Sequence, residues 1–433
     1  MNKLRIKNCT IFTMNEKQEK FQVGEIIIED DKISYIGQVR EDVQDSEFTR
    51  VVEAGGMLCL PGFINTHTHA AMTLFRGFAD DLPLMTWLET KIWPLEDRLN
   101  EEDVYWGTLL AVIEMIKSGT TTFNDMYFFM EAVAEAVKET GIRGVLSRGL
   151  IGLQGKGEIG LEETESFISR WHNTCEGRVK VMFGPHAPYT CPPDYLKQVL
   201  LKVDQYKLPV HIHLAETKFE VEQCKEDYKL TPIELVDSLG VFEYPTIAAH
   251  CVHLTENDMA ILAGKGVKVA HNPGSNLKLA SGFAPVKQML EAGITVSIGT
   301  DSAASNNNLD MLEEIRLAAL IHKAVNEEPT VIPAYNAVEM ATVCGAKSLF
   351  MENEIGMLKT GYKADLILLN LNKPHLYPQH DPAAHLVYSA QSSDVETVII
   401  NGKIIMENRE LAFIDEEKIM YNAQKQAFDL IKR

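Results

Sequence analysis

Between residues 57 and 350, short apolar runs alternate with longer amphipathic segments. The longer segments carry apolar residues at i, i+3, i+4 and i+7, which is typical of helices that bury one face. Eight short runs predict strands: MLCLPGFINTHTH, TTTFNDM, GVLSRGLIG, VKVMFGPHAPY, PVHIHLAE, TIAAHCVHL, VKVAHNPGSN and ITVSIGTDSA. Strands that alternate with helices form a parallel sheet, and eight such units predict a closed (β/α)₈ barrel of the α/β class.

A doubly wound open sheet is the structural alternative. Such a sheet usually carries a G-x-G-x-x-G loop directly after a strand, where it binds a dinucleotide. The match GKGEIG at 155–160 begins several residues beyond the apolar part of the third run, in a glycine-rich loop. The barrel is therefore the preferred prediction.

The two ends of the chain have a different texture from the middle. The first fifty residues contain short strand-like runs separated by turn residues, and the runs ADLILLN and VETVIINGKIIMENREL repeat this pattern near the other end. A helix-like segment closes the chain. We predict a β-rich segment at 1–56, the barrel at 57–355, and a second β-rich segment with a closing helix at 356–433.

Charge and cysteine usage narrow the class of partner. The net charge of −20 argues against a nucleic-acid backbone or an anionic membrane surface as the main partner. The seven cysteines are scattered and never spaced C-x-x-C, which suits a reducing compartment and gives neither a disulfide framework nor a thiolate zinc site. With no signal-like or membrane-spanning run, the expected location is the cytoplasm.

Polar residues end the predicted strands. In (β/α)₈ barrels the catalytic residues lie at the C-terminal ends of the strands, so these side chains should form a ring around one mouth. The ring comprises His67, His69, Asn124, Asp125, Arg148, His186, His213, Glu216, His250, His271, Asn272 and Asp301.

A metal site is predicted within this ring. His67 and His69 are two residues apart, so in a strand both imidazoles point to one side. With His213 and Asp301 they form a set of three imidazoles and one carboxylate, which suits one Zn²⁺, with Fe²⁺, Mn²⁺ and Ni²⁺ as competitors. This set leaves a coordination position for a water, as in a catalytic site.

Other polar residues near the set have open roles. Glu216 stands three residues after His213 and is placed to move protons. His250 would contact the attacking water or orient a ligand. His211 is interpreted as a core histidine, while His253 and His271 fit either a core or a site role.

Six motifs together resemble the amidohydrolase superfamily and, within it, the one-metal aminohydrolases. They are PGFINTHTHAAMTLFRG, HIHLAET, AHCVHL, HNPGSNLKL, GTDSAASNNNLDML and GYKADLILL. The resemblance covers essentially the whole chain. It implies that the β-rich ends form one composite β-sandwich beside the barrel. It also implies hydrolytic deamination of adenosine-type nucleosides, namely 5′-methylthioadenosine and S-adenosylhomocysteine, to inosyl products and ammonia.

The resemblance also assigns roles to site residues. It implies that zinc is held by the four residues of the predicted set, that Glu216 and Asp301 move protons and contact the substrate, and that His250 positions the attacking hydroxide. Glu96 matches a glutamate that binds ribose hydroxyls, and His186 matches a histidine that contacts the nucleoside. Arg148 matches an arginine that meets the amino-acid carboxylate.

Several questions stay open on sequence grounds. Arg143 is a second candidate for the cation that meets the substrate tail and is not ranked against Arg148. The alternative activities are those of other aminohydrolases or dehalogenases that act on guanine, a pterin or a triazine. A metal-free barrel that serves as a binding or scaffold protein is an alternative of a different class. The preferred nucleoside, the native metal and the formation of a homo-oligomer are not decided.

Overall fold

The structure is a computed structural model that describes residues 3–82, 84–153, 155–412 and 414–433. In chain order the strands are β1 (Lys3–Phe12), β2 (Lys20–Glu29), β3 (Lys32–Gln38), β4 (Arg50–Glu53), β5 (Met57–Pro61), β6 (Phe63–Thr68), β7 (Thr120–Tyr127), β8 (Arg143–Leu150), β9 (Val179–Pro185), β10 (Val210–Leu214), β11 (Thr246–His250), β12 (Lys268–His271), β13 (Val296–Ile298), β14 (Leu366–Asn370), β15 (Val395–Ile400), β16 (Lys403–Glu407) and β17 (Glu410–Leu411).

Helices follow most of the barrel strands. In chain order they are α1 (Leu84–Trp87), α2 (Trp93–Glu96), α3 (Glu101–Lys117), α4 (Met130–Thr140), α5 (Gly157–Trp171), α6 (Thr174–Gly177), α7 (Pro193–Tyr206), α8 (Lys218–Tyr228), α9 (Pro232–Ser238), α10 (Glu256–Lys265), α11 (Pro273–Lys278), α12 (Val286–Glu291), α13 (Met311–Val325), α14 (Ala334–Met340), α15 (Val343–Ser348), α16 (Pro382–Tyr388) and α17 (Glu416–Lys432). Among the described residues, none of the helices combines the length and apolar character needed to span a bilayer.

The eight strands β6 to β13 form one parallel sheet in which each strand pairs with the next along the chain. Each of the eight predicted runs contains all or most of one of these strands, so the barrel prediction is confirmed. The first run also contains β5, which lies outside this sheet. The last strand returns to the first, where Thr66 Oγ1 donates to the carbonyl oxygen of Ile298 at 2.9 Å. Just beyond the strand ends, the N–H of Asp301 donates to the carbonyl oxygen of His67, also at 2.9 Å.

Apolar side chains fill the barrel below the mouth. Ile64, Val145 and Ile247, from three different strands, are fully or almost fully buried in one cluster. Leu349 and Met351, which follow α15, pack against the same cluster and close the base. Because the base is sealed by hydrocarbon, the polar ends of the strands are reachable only from the opposite mouth.

Both β-rich ends of the chain contribute to a second sheet. Its order is β17-β16-β15-β14-β5-β1-β2-β3, with β4 paired to β1. The two ends meet where β14 runs antiparallel to β5, from Leu366 opposite Pro61 to Asn370 opposite Met57. Barrel and composite β unit are thus both present, as expected. The observed sheet includes β5, which lies just after the expected boundary at residue 56; the three-segment division stays a prediction.

Candidate active site

Four predicted ligands meet at the C-terminal mouth of the barrel. His67 is the second-to-last residue of β6, and His69 directly follows that strand. His213 lies in β10, and Asp301 follows β13. Because the strands are parallel, their C-terminal ends open onto one face. Side chains that are distant in the sequence therefore converge there.

Three separations between their donor atoms are close to those of a tetrahedral metal site. Nε2 of His69 lies 3.3 Å from Nε2 of His213 and 3.3 Å from Oδ1 of Asp301. Nε2 of His67 lies 3.5 Å from the same carboxylate oxygen. Ligand atoms held about 2.0–2.1 Å from a tetrahedral ion are about 3.4 Å apart. Three of the donor-atom separations are thus close to this spacing. The possible ligand atoms of His67, His69 and His213 all lie within 4.8 Å of one another, and so do those of His67, His250 and Asp301.

Hydrogen bonds at the far side of the rings determine which nitrogen faces the site. Nδ1 of His69 lies 2.6 Å from the carbonyl oxygen of Met126, and Nδ1 of His213 lies 2.7 Å from that of His186. A carbonyl oxygen only accepts, so in each ring Nδ1 carries the proton and neutral Nε2 presents a lone pair. Nε2 of His67 is buried and has no hydrogen-bond partner. The Nε2 lone pairs of His69 and His213 face each other at 3.3 Å, and that of His69 also faces the Asp301 carboxylate oxygen. Such groups repel one another, so their arrangement fits a cation between them.

The charge states of the set suit metal binding. Burial lowers the pKa of His67 to about 4 and holds the pKa of His213 well below its ordinary value. Both rings are therefore neutral near pH 7, the form that ligates metals. Burial opposes the ionisation of Asp301, but the adjacent His67 and His69 side chains outweigh it and hold the pKa of Asp301 well below its usual range.

Two serines and a strained backbone orient Asp301. Its Oδ2 accepts hydrogen bonds from Ser275 Oγ at 2.7 Å and from Ser305 Oγ at 2.8 Å, which leaves Oδ1 turned toward the imidazoles. Its φ of +59° lies in the left-handed region, which costs a non-glycine residue free energy. Thr68 Oγ1 donates to the Asp301 carbonyl oxygen at 2.9 Å and helps to hold this conformation.

Glu216 and His250 lie beside the four donor atoms. Glu216 Oε2 is 3.9 Å from Nε2 of His250, and both side chains are buried. Nδ1 of His250 bonds to Asn276 Oδ1 at 2.9 Å, so Nδ1 is the donor and Nε2 faces Glu216. Burial raises the pKa of Glu216, which keeps a proton available closer to neutral pH. Burial would lower the pKa of His250, but the carboxylates of Glu216 and Asp301 outweigh it and raise that pKa.

A cavity of about 700 Å³ opens above the donor atoms. His69, His213, Glu216, His250 and Asp301 line its inner end. Its outer walls are largely apolar and aromatic, and they include Trp87, Leu88, Ile92, Trp93, Phe128, Phe129, Ile151, Leu153 and Phe167. A mostly apolar cavity with few convergent polar groups is the usual form of a small-molecule site.

Glu96, His186 and Arg148, the other residues assigned to substrate contacts, also line this cavity. Burial raises the pKa of Glu96 to about 7, while the nearby Tyr127 hydroxyl acts in the opposite direction. Burial lowers the pKa of His186 to about 3, and Nδ1 of this ring lies 2.8 Å from Thr190 Oγ1. Arg148 Nε donates to Glu163 at 2.8 Å.

Arg143 lies at the opposite end of β8 from Arg148. Its side chain is fully buried, and its Nε and Nη2 donate to the two carboxylate oxygens of Asp365 at 2.8 and 3.1 Å. Nη2 also donates to Asn401 Oδ1 at 3.2 Å. Arg143 therefore joins the base of the barrel to the terminal sheet. Of the two arginines, Arg148 is the one that faces the cavity.

The remaining histidines near the site have protein partners. Nε2 of His211 lies 2.8 Å from Nδ1 of His67, so the buried histidine that was interpreted as core also orients a predicted ligand. Its position two residues before His213 in the same strand indicated a shared side of the strand, but not the contact with His67. His271 pairs with His322 at 3.0 Å, and His253 bonds to the Ser281 carbonyl oxygen at 2.6 Å. The serines on Asp301 and the asparagine on His250 had no signal in the sequence alone.

A closed parallel barrel with this donor set at its mouth defines a metal-dependent hydrolase. The chain belongs to the amidohydrolase family, whose model matches residues 58–405. A protein from Pelotomaculum thermopropionicum named 5-methylthioadenosine/S-adenosylhomocysteine deaminase is 52% identical over 433 residues and is covered, like this chain, over 100% of its length. The site is accordingly one for a divalent metal.

Solved structures give the same fold. An adenosine deaminase from Xanthomonas campestris with bound zinc has a TM-score of 0.93 at 33% identity, with 99% of each chain covered. Atrazine chlorohydrolase from Arthrobacter aurescens, complexed with zinc, has a TM-score of 0.90 at 24% identity and covers 98% of this chain and 100% of its own. The second likeness shows the fold alone.

Proposed function

We propose that this enzyme deaminates 5′-methylthioadenosine and S-adenosylhomocysteine by hydrolysis, giving the inosyl products and ammonia. The curated relative at 52% identity over its full length is named for this activity, and the zinc-bound neighbour at 33% identity is an adenosine deaminase. The observation that carries the proposal is the placement of buried Glu216, 3.9 Å from Nε2 of His250, at the inner end of a cavity that His69, His213 and Asp301 also line.

We assign the metal to Nε2 of His67, His69 and His213 and to Oδ1 of Asp301. Zn²⁺ is the ion that we propose, because three neutral imidazoles with one carboxylate suit it and the solved neighbour at 33% identity contains it. Fe²⁺, Mn²⁺ and Ni²⁺ are the competing ions. When bound, the ion supplies Lewis-acid activation of a water near neutral pH.

Glu216 is the proton carrier in this proposal. Its carboxylate takes a proton from the attacking water and delivers it to the purine nitrogen next to the carbon that bears the amino group. Protonation of that nitrogen makes the carbon electrophilic. The raised pKa of Glu216, caused chiefly by burial, suits a group that must both accept and release a proton near neutral pH.

Asp301 and His250 complete the acid–base set. His250 points Nε2 toward Glu216 because its Nδ1 is held by Asn276, so Nε2 is available to the attacking water. Asp301 Oδ1 faces the same space because its Oδ2 is held by two serines. Asp301 takes the remaining proton of the added water and relays it to the departing amine. The C–N bond then breaks, a C=O bond forms at the same carbon, and ammonia leaves.

The remaining cavity residues bind the nucleoside. Glu96 accepts hydrogen bonds from the ribose hydroxyls, and His186 contacts the nucleoside near the metal end. Arg148 meets the carboxylate of the amino-acid tail of S-adenosylhomocysteine, while the aromatic walls surround the thioether. A small-molecule nucleoside is thus the partner that the site requires. Cytoplasmic location, and the absence of nucleic-acid and membrane partners, stay predictions.

The test is a substrate panel on metal-loaded protein, with ammonia release as the readout. We expect kcat/KM for 5′-methylthioadenosine and S-adenosylhomocysteine to exceed that for guanine, a pterin and a triazine by at least about 10²-fold, because a site built for ribosyl and thioether contacts leaves them unmade with a bare heterocycle. A panel in which guanine, the pterin or the triazine is the best substrate would overturn the proposal.

Metal analysis separates the enzyme from a metal-free scaffold. Protein stripped with a chelator should lose activity and regain it with Zn²⁺ at one ion per chain. Asp301→Asn should bind that ion more weakly. Protein without stoichiometric metal, inactive toward the whole panel and not activated by Zn²⁺, would favour a binding role instead.

A further inference from the structure

The connection between β10 and α8 carries Glu216 and has an unusual conformation. The chain leaves the strand at Leu214, and Ala215 adopts φ +52°, in the left-handed region. An alanine in this region costs free energy and persists only where its surroundings hold it. The conformation of Ala215 sets the direction in which Glu216 leaves the strand. The groups that hold Ala215 therefore influence where the Glu216 carboxylate lies.

Glu220 holds this connection with both carboxylate oxygens. Its Oε1 accepts the N–H of Ala215 at 3.0 Å, and its Oε2 accepts the N–H of Glu216 at 2.8 Å. The N–H of Glu220 itself donates to Thr217 Oγ1 at 3.1 Å, so the clamping residue is anchored in the first turn of α8. Glu220 is only 5% exposed. Two buried N–H groups would have no acceptor without it, which is costly.

Three other helices show what a glutamate or aspartate in this position usually does. The sequence Thr217-x-x-Glu220 has the form of a capping box, in which the acid accepts the N–H of the N-cap residue. That arrangement is present at the starts of α3, α9 and α10, for example between Thr231 and Glu234. At α8 the acid reaches past Thr217 to the two residues before it. Its carboxylate serves the connection rather than the cap.

The other side of the same connection is tied to the strand end that carries His250. The carbonyl oxygen of Ala215 accepts the N–H groups of Val252 and His253 at 3.0 and 2.9 Å. Cys251 donates to the carbonyl oxygen of Leu214 at 3.0 Å. Glu220 thus holds the N–H side of a segment whose carbonyl side is held by the chain just after His250.

We propose that Glu220 is a positioning residue, which sets the place of the Glu216 carboxylate for proton transfer. This inference rests on the proposed function, in which Glu216 carries the proton. Glu220 is not one of the described residues that line the cavity. Its effect on turnover therefore passes through the backbone of Ala215 and Glu216. Glu220 satisfies two amides at once and so keeps Ala215 in its strained conformation.

The test compares Glu220→Gln with Glu234→Gln, a matched control in which the same change is made in an ordinary capping box. Glutamine keeps one acceptor oxygen but turns an NH₂ group toward the second amide. We expect Glu220→Gln to lower kcat by about 10²-fold, the effect of a displacement of about 1 Å at a reacting group. KM and metal content should be unchanged, and Glu234→Gln should keep wild-type kcat. Equal kcat in the two variants would reduce Glu220 to a helix cap and overturn the inference.

A double-mutant cycle tests the route through Glu216. If Glu220 acts by placing that carboxylate, adding Glu220→Gln to Glu216→Gln should cause no further loss of kcat. Multiplicative losses would mean that Glu220 acts independently, which overturns the proposal. Should Glu220→Gln not fold, Glu220→Asp is used in the same cycle, since it keeps the charge but is too short to reach both amides.

Failure of the proposed function would look different. If wild-type protein does not release ammonia from adenosine-type nucleosides, the reaction itself is wrong, and the kcat comparison would be made with the best substrate of the panel. If wild-type protein deaminates them and Glu220→Gln keeps full kcat, only the positioning role is wrong.

Discussion

The base and the mouth of the barrel treat buried polar groups in opposite ways. At the base, the guanidinium of Arg143 is matched by both oxygens of Asp365 and by Asn401. At the mouth, Nε2 of His67 has no hydrogen-bond partner, and Oδ1 of Asp301 faces imidazole nitrogens. Groups that satisfy one another contribute to stability, whereas groups left without a protein partner are free to bind something else. Substitutions at the mouth should therefore change turnover, and those at the base should change stability.

The largest effect is expected at the mouth. Glu216→Gln removes the proton carrier without touching a metal ligand, and kcat should fall by about 10²–10⁴-fold. Steady-state kinetics and elemental analysis on the same preparation measure this, with metal content and melting temperature expected to match wild type. Near-wild-type kcat would exclude the proton-carrier role.

The matching substitution at the base is Arg143→Ala. It leaves the Asp365 carboxylate buried and unpaired, so the free energy of unfolding should fall by about 3–5 kcal/mol. Denaturant titration measures this loss, and kcat of the folded fraction should stay at the wild-type value. The double variant Arg143→Met with Asp365→Leu is the control, because it removes both charges and should recover most of the stability. A loss of kcat without a loss of stability would contradict the expectation that substitutions at the base affect stability and those at the mouth affect turnover.

Arg148 sharpens the contrast along a single strand. Arg148→Met should raise KM for S-adenosylhomocysteine by about 10–150-fold, since a hydrogen bond to a charged group contributes about 1.5–3 kcal/mol. KM for 5′-methylthioadenosine, which lacks the amino-acid carboxylate, should be unaffected. Parallel kinetics with the two nucleosides measure this difference. Equal effects on both substrates would show that Arg148 shapes the cavity rather than meeting the tail.

The smallest effect is a pH dependence from Glu96, whose pKa burial raises to about 7. The carboxylate accepts hydrogen bonds from the ribose better when ionised, so kcat/KM should rise as the pH passes upward through about 7. The ratio of wild-type kcat/KM to that of Glu96→Gln isolates this group from others that titrate. From pH 6 to pH 8 the ratio should increase by up to about tenfold. A flat ratio would remove Glu96 from substrate binding.

The barrel was predictable because its signal is repeated and local. Each of the eight apolar runs contains all or most of one barrel strand, including the short β13. Parallel pairing then brings the ends of these strands together. That rule also places His67, His69, His213 and Asp301 at one mouth before any coordinates are known. Their roles as ligands are still to be tested by metal analysis.

Other features depend on directions that a sequence does not encode. The sequence placed Arg148 in the ring at the mouth but left Arg143 as an alternative to it, and the observed bounds of β8 put Arg143 at the base. The sequence around Glu220 has the form of an ordinary capping box, yet the side chain reaches residues 215 and 216 instead. His211 is buried as expected, but its contact with His67 requires the curvature of the closed sheet.

The place where the barrel closes has a consequence for metal loss. Strand pairing runs from β6 to β13, and among the described residues the last strand meets the first through side-chain and loop hydrogen bonds, including Thr66 to Ile298, Asn65 to Thr300 and Asp301 to His67. His67 and Asp301 stand on opposite sides of this seam. An ion bound by both residues would link β6 to the segment that follows β13. Amide protons along this seam should therefore exchange with solvent faster once the metal is removed.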